Sequence, residues 1–226
     1  MVIFDNVGIF FKESKNRFLC EVIIEGRMVE CYIPSSCRLD NFLELPGKEV
    51  LLSRNKSATS RTEYSVAAIR HKNSYILLNT SISNRLIFNN INSSRFSFIG
   101  PRTNVIREQK LGSYKADILI QDDYNTIIEI KSIISQHYEA VFPSVFSQRA
   151  IDQLMQIRNL MIDGYKACYF YVSLNPFVRN IKINSDIIKY HALLNECIKQ
   201  GMVLKGYNCK LNDNGLKISK EIPIIF

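Results

Sequence analysis

The apolar pattern of this chain changes period near residue 80, and that change limits the folds open to it. Before that point the apolar runs are short and separated by turn residues. Residues 17–24 (RFLCEVII) read as a strand of mixed alternation, Gly26-Arg27 as a turn, and residues 28–33 (MVECYI) as the partner strand. Pro34, followed by Ser35 and Ser36, interrupts that ladder, because proline has no N–H to donate. Residues 39–45 fit a short helical turn closed by Pro46-Gly47, and residues 49–53 (EVLLS) a third strand. Residues 64–69 and 75–78 pair across His71-Lys72-Asn73-Ser74. Five short strands and no long helix predict a small barrel over residues 1–80, with the OB-fold as the leading candidate.

Residues 81–226 behave differently. A short helix is expected over 84–90, strands over 102–109, 115–120 and 126–132, and a turn at Asp122-Asp123-Tyr124-Asn125. Residues 147–161 carry apolar side chains at 150, 151, 154, 157, 160 and 161, which is a helical period. A buried strand follows at 166–173, then a helix at 185–200 capped by Asn184 or Ser185 and stopped by Gly201, then a final strand at 202–207. Strands alternating with helices indicate an α/β domain, so the chain is α+β overall.

Composition narrows the class. With 46% hydrophobic and 22% charged residues, the 226-residue chain is globular, and it has no run of roughly 18 apolar residues that would span a membrane. The first residues show no signal-peptide pattern, so the expected compartment is the cytoplasm. Six cysteines without a C-x-x-C pair read as buried, reduced thiols, and three scattered histidines leave no zinc site. The net charge is +8, and most of the excess lies after residue 80. Between Arg85 and Lys115, six basic residues stand against Glu108 alone. Such an excess suits a polyanionic partner.

The stretch that carries chemistry runs Arg107-Glu108, Asp117, then Glu129-Ile130-Lys131. If the hairpin turn centres on Asp123, Asp117 faces Glu129, and Lys131 lies two residues on along the same face. Lys115 would then face Lys131. Ala116, Ile118, Ile120, Ile128 and Ile130 form the opposite, apolar face, so the acidic pair lies on the face away from that core. Two close carboxylates repel unless a cation compensates, and Mg²⁺ or Mn²⁺ with oxygen ligands is the expected one. Asp117, Glu129 and the Ile130 carbonyl would be the ligands, Lys131 would orient the attacking water, and Glu108 would join the cluster. A solvated hairpin face with Glu129 paired to Lys131 or Lys115 accounts for the same residues without catalysis.

Asp117 with Glu129-Ile130-Lys131 resembles the core of the PD-(D/E)XK nucleases, and the whole chain resembles the sugar fermentation stimulation protein family. The matching segments are Arg17-Phe18-Leu19; Tyr32-Ile33-Pro34-Ser35-Ser36 with Arg38-Leu39 and Pro46-Gly47; Arg61 with Tyr64; Asn84-Arg85-Leu86; Arg107-Glu108; Asp117-Ile118-Leu119; Glu129 to Ser132; Phe142-Pro143 with Gln148-Arg149; and Gly201 with Tyr207. The resemblance implies an OB-like barrel, then a nuclease-like α/β domain with a mixed sheet over 81–226, and DNA as the partner, with RNA also open. The chain departs from the family pattern at Ser144, where Asp is usual, at Ala150, and at Asp152-Gln153, where a basic residue and a histidine are usual. Phe88, Asn89 and Asn90 stand where many such nucleases carry a helical acid.

Gln148, Arg149 and Gln153 are expected phosphate contacts, as are Arg107 and Lys115 on the hairpin. Arg54, Lys56 and Arg61 form a basic loop in the barrel that would track a phosphate backbone, or else a plain solvated loop. Phe10, Phe11 and Tyr64 are either base-stacking groups or barrel core. Ser35-Ser36 reads as a turn rather than a nucleophile. Three functions stay open: a metal-dependent nuclease, a DNA-binding regulator with an idle nuclease fold, and a scaffold or small-molecule binder that uses the acidic pair structurally. A monomer and a homodimer are equally compatible with the sequence.

Overall fold

The computed structural model describes residues 4–34, 38–40, 42–57, 59–212 and 215–226. The Ser35-Ser36 turn and Cys37 lie outside the described residues. Strands β1 (Asn6–Glu13), β2 (Leu19–Ile24), β3 (Arg27–Tyr32), β4 (Glu49–Arg54) and β5 (Tyr64–His71) pair in the order β3-β2-β1-β4-β5, and a parallel β3–β5 pairing closes the ring. The expected five-stranded OB barrel is present, with one exchange of strand. β1 belongs to it, while β6 (Ser74–Leu77) pairs only along the outer edge of β5. The sequence pattern hides β1 because its inward residues are Gly8 and Phe10, while Val7, Ile9 and Phe11 face out. A Cβ on Gly8 would lie 2.5 Å from Val22 Cγ1, so only glycine fits this close approach of β1 to β2. The segment after β3 contributes a single turn, in which the Phe42 and Leu43 amides both donate to the Leu39 carbonyl.

The second half is built on a mixed six-stranded sheet, in the order β14-β13-β11-β9-β8-β7. Its strands are β7 (Val105–Leu111), β8 (Tyr114–Gln121), β9 (Asn125–Ile133), β11 (Lys166–Ser173), β13 (Val203–Asn212) and β14 (Gly215–Ile222). β9, β11 and β13 are parallel, and β7, β8 and β14 are antiparallel to their neighbours. A small parallel sheet joins β10 (Glu139–Phe142), β12 (Asn180–Ile183) and β15 (Ile224–Ile225). Helices α2 (Gln148–Ile162) and α3 (Ile188–Lys199) cover one face of the large sheet. The other face packs against α1 (Ser81–Asn90) and a 3₁₀ segment whose Phe96 is fully buried. Ser147 caps α2, its hydroxyl accepting the Ala150 N–H. α3 begins later than expected, after Ile187 and without a side-chain cap; Asn184 instead accepts from Asp186 N and donates to the Pro143 carbonyl.

Covering both faces corrects one expectation. The face opposite Ile118, Ile128 and Ile130 is a second core, containing Leu119, Ile127, Ile151 and Leu154, and not a solvated surface. Interior parallel strands are buried on both sides, and β9 is one of them. The two halves of the molecule meet through Leu51, Ala68 and Leu77 from the barrel side and Ile82, Leu86, Leu174 and Cys209 from the other. The Leu77 N–H also donates to the Leu174 carbonyl at 3.1 Å. Cys20, Cys31, Cys168, Cys197 and Cys209 are buried free thiols. No helix among the described residues is long and apolar enough to cross a membrane.

Candidate functional site

Glu129 interrupts the apolar strand β9 at a nearly fully buried position, 2% exposed. A carboxylate taken that far from solvent needs close compensation. Lys131 Nζ lies 2.6 Å from Glu129 Oε1, and the Tyr114 hydroxyl donates to Oε2 at 2.5 Å. Lys131 also donates to Gln153 Oε1 of α2 at 2.6 Å, so β9 and the helix share one ammonium group. Burial raises the Tyr114 phenol first and the Glu129 charge raises it further, which keeps Tyr114 a proton donor.

Asp117 stands where the hairpin ladder ends. The paired residues run from Gln121↔Asn125 to Ile118↔Ile128, the register expected from a turn centred on Asp123. One step further, the Asp117 side chain enters the ladder: Oδ2 accepts the Ile130 N–H at 2.8 Å, and Oδ1 accepts Asn84 Nδ2 at 2.6 Å. Strand alternation breaks here, since Ala116 packs on the α2 side and Ile118 on the opposite side. The neighbouring strand bends with it. Glu108, flanked by the pairs Arg107↔Ile118 and Gln109↔Ala116, has φ 52, a left-handed conformation uncommon outside glycine. Burial, then the nearby Glu129 charge, pushes the Asp117 carboxyl up to about 7.

The break separates two lysines that were expected to share a site. Lys115 does not face Lys131; it lies on the rim and pairs with Glu108 at 2.6 Å, both side chains being more than half exposed. Glu108 is therefore held by Lys115, whose hydrogen bond and charge lower its pKa, and lies outside the Asp117–Glu129 contacts.

Two cavities meet at Asp117. One, of about 530 Å³, has a polar lining that includes Glu108, Lys115, Gln148, Asp152 and Gln156. The other, of about 580 Å³, contains Asn84, Glu129, Ile130 and Lys131, and the barrel adds Phe42 to its wall. Asp117, Arg149 and Gln153 line both. Arg149 is exposed there, whereas Gln148 is tied to Asp152 Oδ1 at 2.8 Å. Arg107 lies over the Phe88 ring at 5.1 Å. The barrel loop is not the acid-free surface its sequence suggests: Arg54 pairs with Glu63 at 2.7 Å and Arg61 with Glu30 at 3.1 Å, while Lys56 is exposed. Phe10 is core and Phe11 exposed; Tyr64 is buried, its hydroxyl accepting from Arg54.

Sequence reading missed Asn84 and Tyr114. The helical position that reaches the site is Asn84 and not 88–90, where Phe88 packs on the core and Asn90 donates to the Leu86 carbonyl. No spacing rule links Asn84 to Asp117 across 33 residues. Among the described residues, no group of three or more His, Cys, Asp or Glu gathers to hold a metal. The oxygen set of Asp117 and Glu129 nevertheless fits a hard cation that keeps several waters. Each carboxylate oxygen has one hydrogen-bond donor, so each keeps a lone pair free. A cation there would also offset the repulsion that raises Asp117.

A family model described as the sugar fermentation stimulation protein RE domain matches residues 81–215, and one described as the SfsA N-terminal OB domain matches residues 13–78. A sugar fermentation stimulation protein homolog of Chloroflexus aurantiacus is 24% identical over 95% of this chain and 83% of its own length. One from Natranaerobius thermophilus is 24% identical over 95% of this chain and 92% of its own. The solved structure of Pyrococcus furiosus SfsA in complex with Ca²⁺ shares the fold, with a TM-score of 0.83 at 21% identity, covering 98% of this chain and 96% of that one. Two family models matched in chain order, and a solved relative alike from end to end, establish that this chain belongs to the sugar fermentation stimulation protein family.

Proposed function

We propose that the protein binds nucleic acid and hydrolyses its phosphodiester bonds with a divalent cation held by Asp117 and Glu129. The observation that carries this reading is the pair of desolvated carboxylates with Lys131 between Glu129 and Gln153, at the junction of two clefts. The complex of the Pyrococcus furiosus relative with Ca²⁺ supports a divalent ion in this fold. The net charge of +8 and the exposed Arg149 beside the carboxylates support a polyanionic substrate, DNA first and RNA second.

In the hydrolysis, water adds to phosphorus and an ester oxygen leaves with a proton. A bound Mg²⁺ or Mn²⁺ supplies a polarised phosphoryl oxygen and a more acidic water. The Ile130 carbonyl would be the third protein ligand to such an ion. Lys131 puts positive charge next to the phosphate, and the Gln153 amide oxygen fixes that ammonium; the Gln153 amide does not titrate near neutral pH, so it orients and cannot act as a general acid or base. Asn84 and the Ile130 N–H hold Asp117 in one orientation, and Tyr114 does the same for Glu129.

The test is incubation of single- and double-stranded DNA and RNA with Mg²⁺ or Mn²⁺, beside Glu129→Ala and Lys131→Ala. The expected result is cleavage by the wild type alone. Equal cleavage by the variants removes the nuclease reading. Salt-sensitive binding without cleavage favours a non-catalytic DNA-binding regulator, a second reading supported by the lack, among the described residues, of a third acid in the cluster.

A further inference from the structure

The two clefts differ in a way the reaction does not require. The larger one has an apolar lip, formed by the end of β10 and the segment from there to α2, on which Val141 is 42% exposed, Val145 54% and Phe146 65%. These side chains line the same cavity as Asp117, Glu129 and Lys131. A phosphodiester backbone offers nothing for three exposed apolar groups to bind. The face of a nucleobase does, and in an intact duplex that face is stacked against its neighbours and out of reach. The cavity volume of about 580 Å³ lies within the roughly 300–1,000 Å³ of sites that hold small organic groups. Arg149, which lines both clefts, is placed to meet the adjoining phosphate, while the other cleft is polar along its wall.

We infer that this cleft receives an unpaired nucleobase against Phe146, so the site acts on single-stranded or frayed nucleic acid in preference to closed duplex. The inference rests on the nucleic-acid reading above. It adds the class of substrate and a residue that selects it. Phe146 is a specificity residue that takes no part in the carboxylate hydrogen bonds.

Binding separates the two ideas without turnover. The full chain is titrated into a fluorescein-labelled single-stranded DNA 12-mer, and separately into its duplex, with Ca²⁺ present. Phe146→Ala is expected to weaken single-strand binding by about 5- to 150-fold, the equivalent of one stacked base, and to leave duplex binding unchanged. The protein has no tryptophan, so Phe146→Trp introduces a single reporter. It should keep single-strand affinity, and its emission should be quenched by the single strand and not by the duplex. Wild-type single-strand affinity in Phe146→Ala, or an unquenched Trp in a bound complex, overturns the inference and leaves the nucleic-acid reading standing. Failure of the wild type to bind either DNA overturns both. If Phe146→Ala instead converts a dimer to a monomer in sedimentation with binding unchanged, the lip is a contact between copies and the inference fails. Should Phe146→Ala not fold, the Trp emission decides alone.

Discussion

Two lysine–glutamate pairs in this hairpin region have the same separation and opposite character. Lys131 and Glu129 are 2.6 Å apart with side chains 12% and 3% exposed; Lys115 and Glu108 are 2.6 Å apart with side chains 60% and 59% exposed. The buried pair is largely removed from solvent, so each charge depends on its partner and on Tyr114 and Gln153. The exposed pair exchanges its contacts with solvent and salt at little cost. Distance therefore does not separate the two pairs; the low-dielectric setting does, and under the proposed function it would let the Lys131 charge act on a phosphate with little screening.

The sharpest way to break this comparison is to remove one partner from each pair. Lys131→Ala strands a buried carboxylate and is expected to lower unfolding free energy by about 3–5 kcal/mol, read from urea denaturation. An equally tolerated Lys131→Ala and Lys115→Ala would erase the distinction. The second effect is on pH. Asp117 is raised to about 7 from the ordinary carboxyl value of about 4, so between those values the metal-free native state holds a proton that the unfolded chain has released. Its contribution to stability is full below about pH 4 and is lost as pH rises through about 7. On the proposed function, Mg²⁺ binding would displace that proton, so apparent affinity should rise up to about tenfold per unit below pH 7 and level off above it, measured by calorimetry in two buffers. Asp117→Asn should abolish the slope.

A smaller loss is expected from Tyr114→Phe, which removes the donor to Glu129 Oε2 inside the core. About 1–3 kcal/mol should disappear from stability. If that variant is neutral, Tyr114 is not part of the compensation. The least effect is expected from Lys115→Ala: no measurable change in denaturation midpoint, with the salt slope of nucleic-acid binding shallower by about one if Lys115 meets a phosphate. A large stability loss there would mean that the rim pair is not solvated.

The sequence made the hairpin register legible, because turn residues and alternating isoleucines leave little freedom, and the pairs Ile118↔Ile128 to Gln121↔Asn125 follow it. Glu129 was conspicuous as an acid in an apolar strand. The barrel was legible as five strands, yet β1 was not, since its larger apolar residues face outward. What stayed hidden depends on tertiary contacts: Asn84 reaching across from α1, Tyr114 pointing inward beside a broken alternation, and the second core that buries Glu129. Local pattern cannot tell a strand wet on one face from one buried on both when the covering helix lies twenty residues further on.

Gly8 carries an implication for how the barrel assembles. Slid along by one residue, β1 would turn Val7, Ile9 and Phe11 inward, a greasier face than Gly8 and Phe10, and burial alone would reward the mistake. The slip would also bring a branched side chain to the spot where even a lone methyl would lie 2.5 Å from Val22 and 3.0 Å from the Ile23 carbonyl. An absent side chain thus acts as the notch of a key, admitting one alignment of the strand and refusing the oilier one.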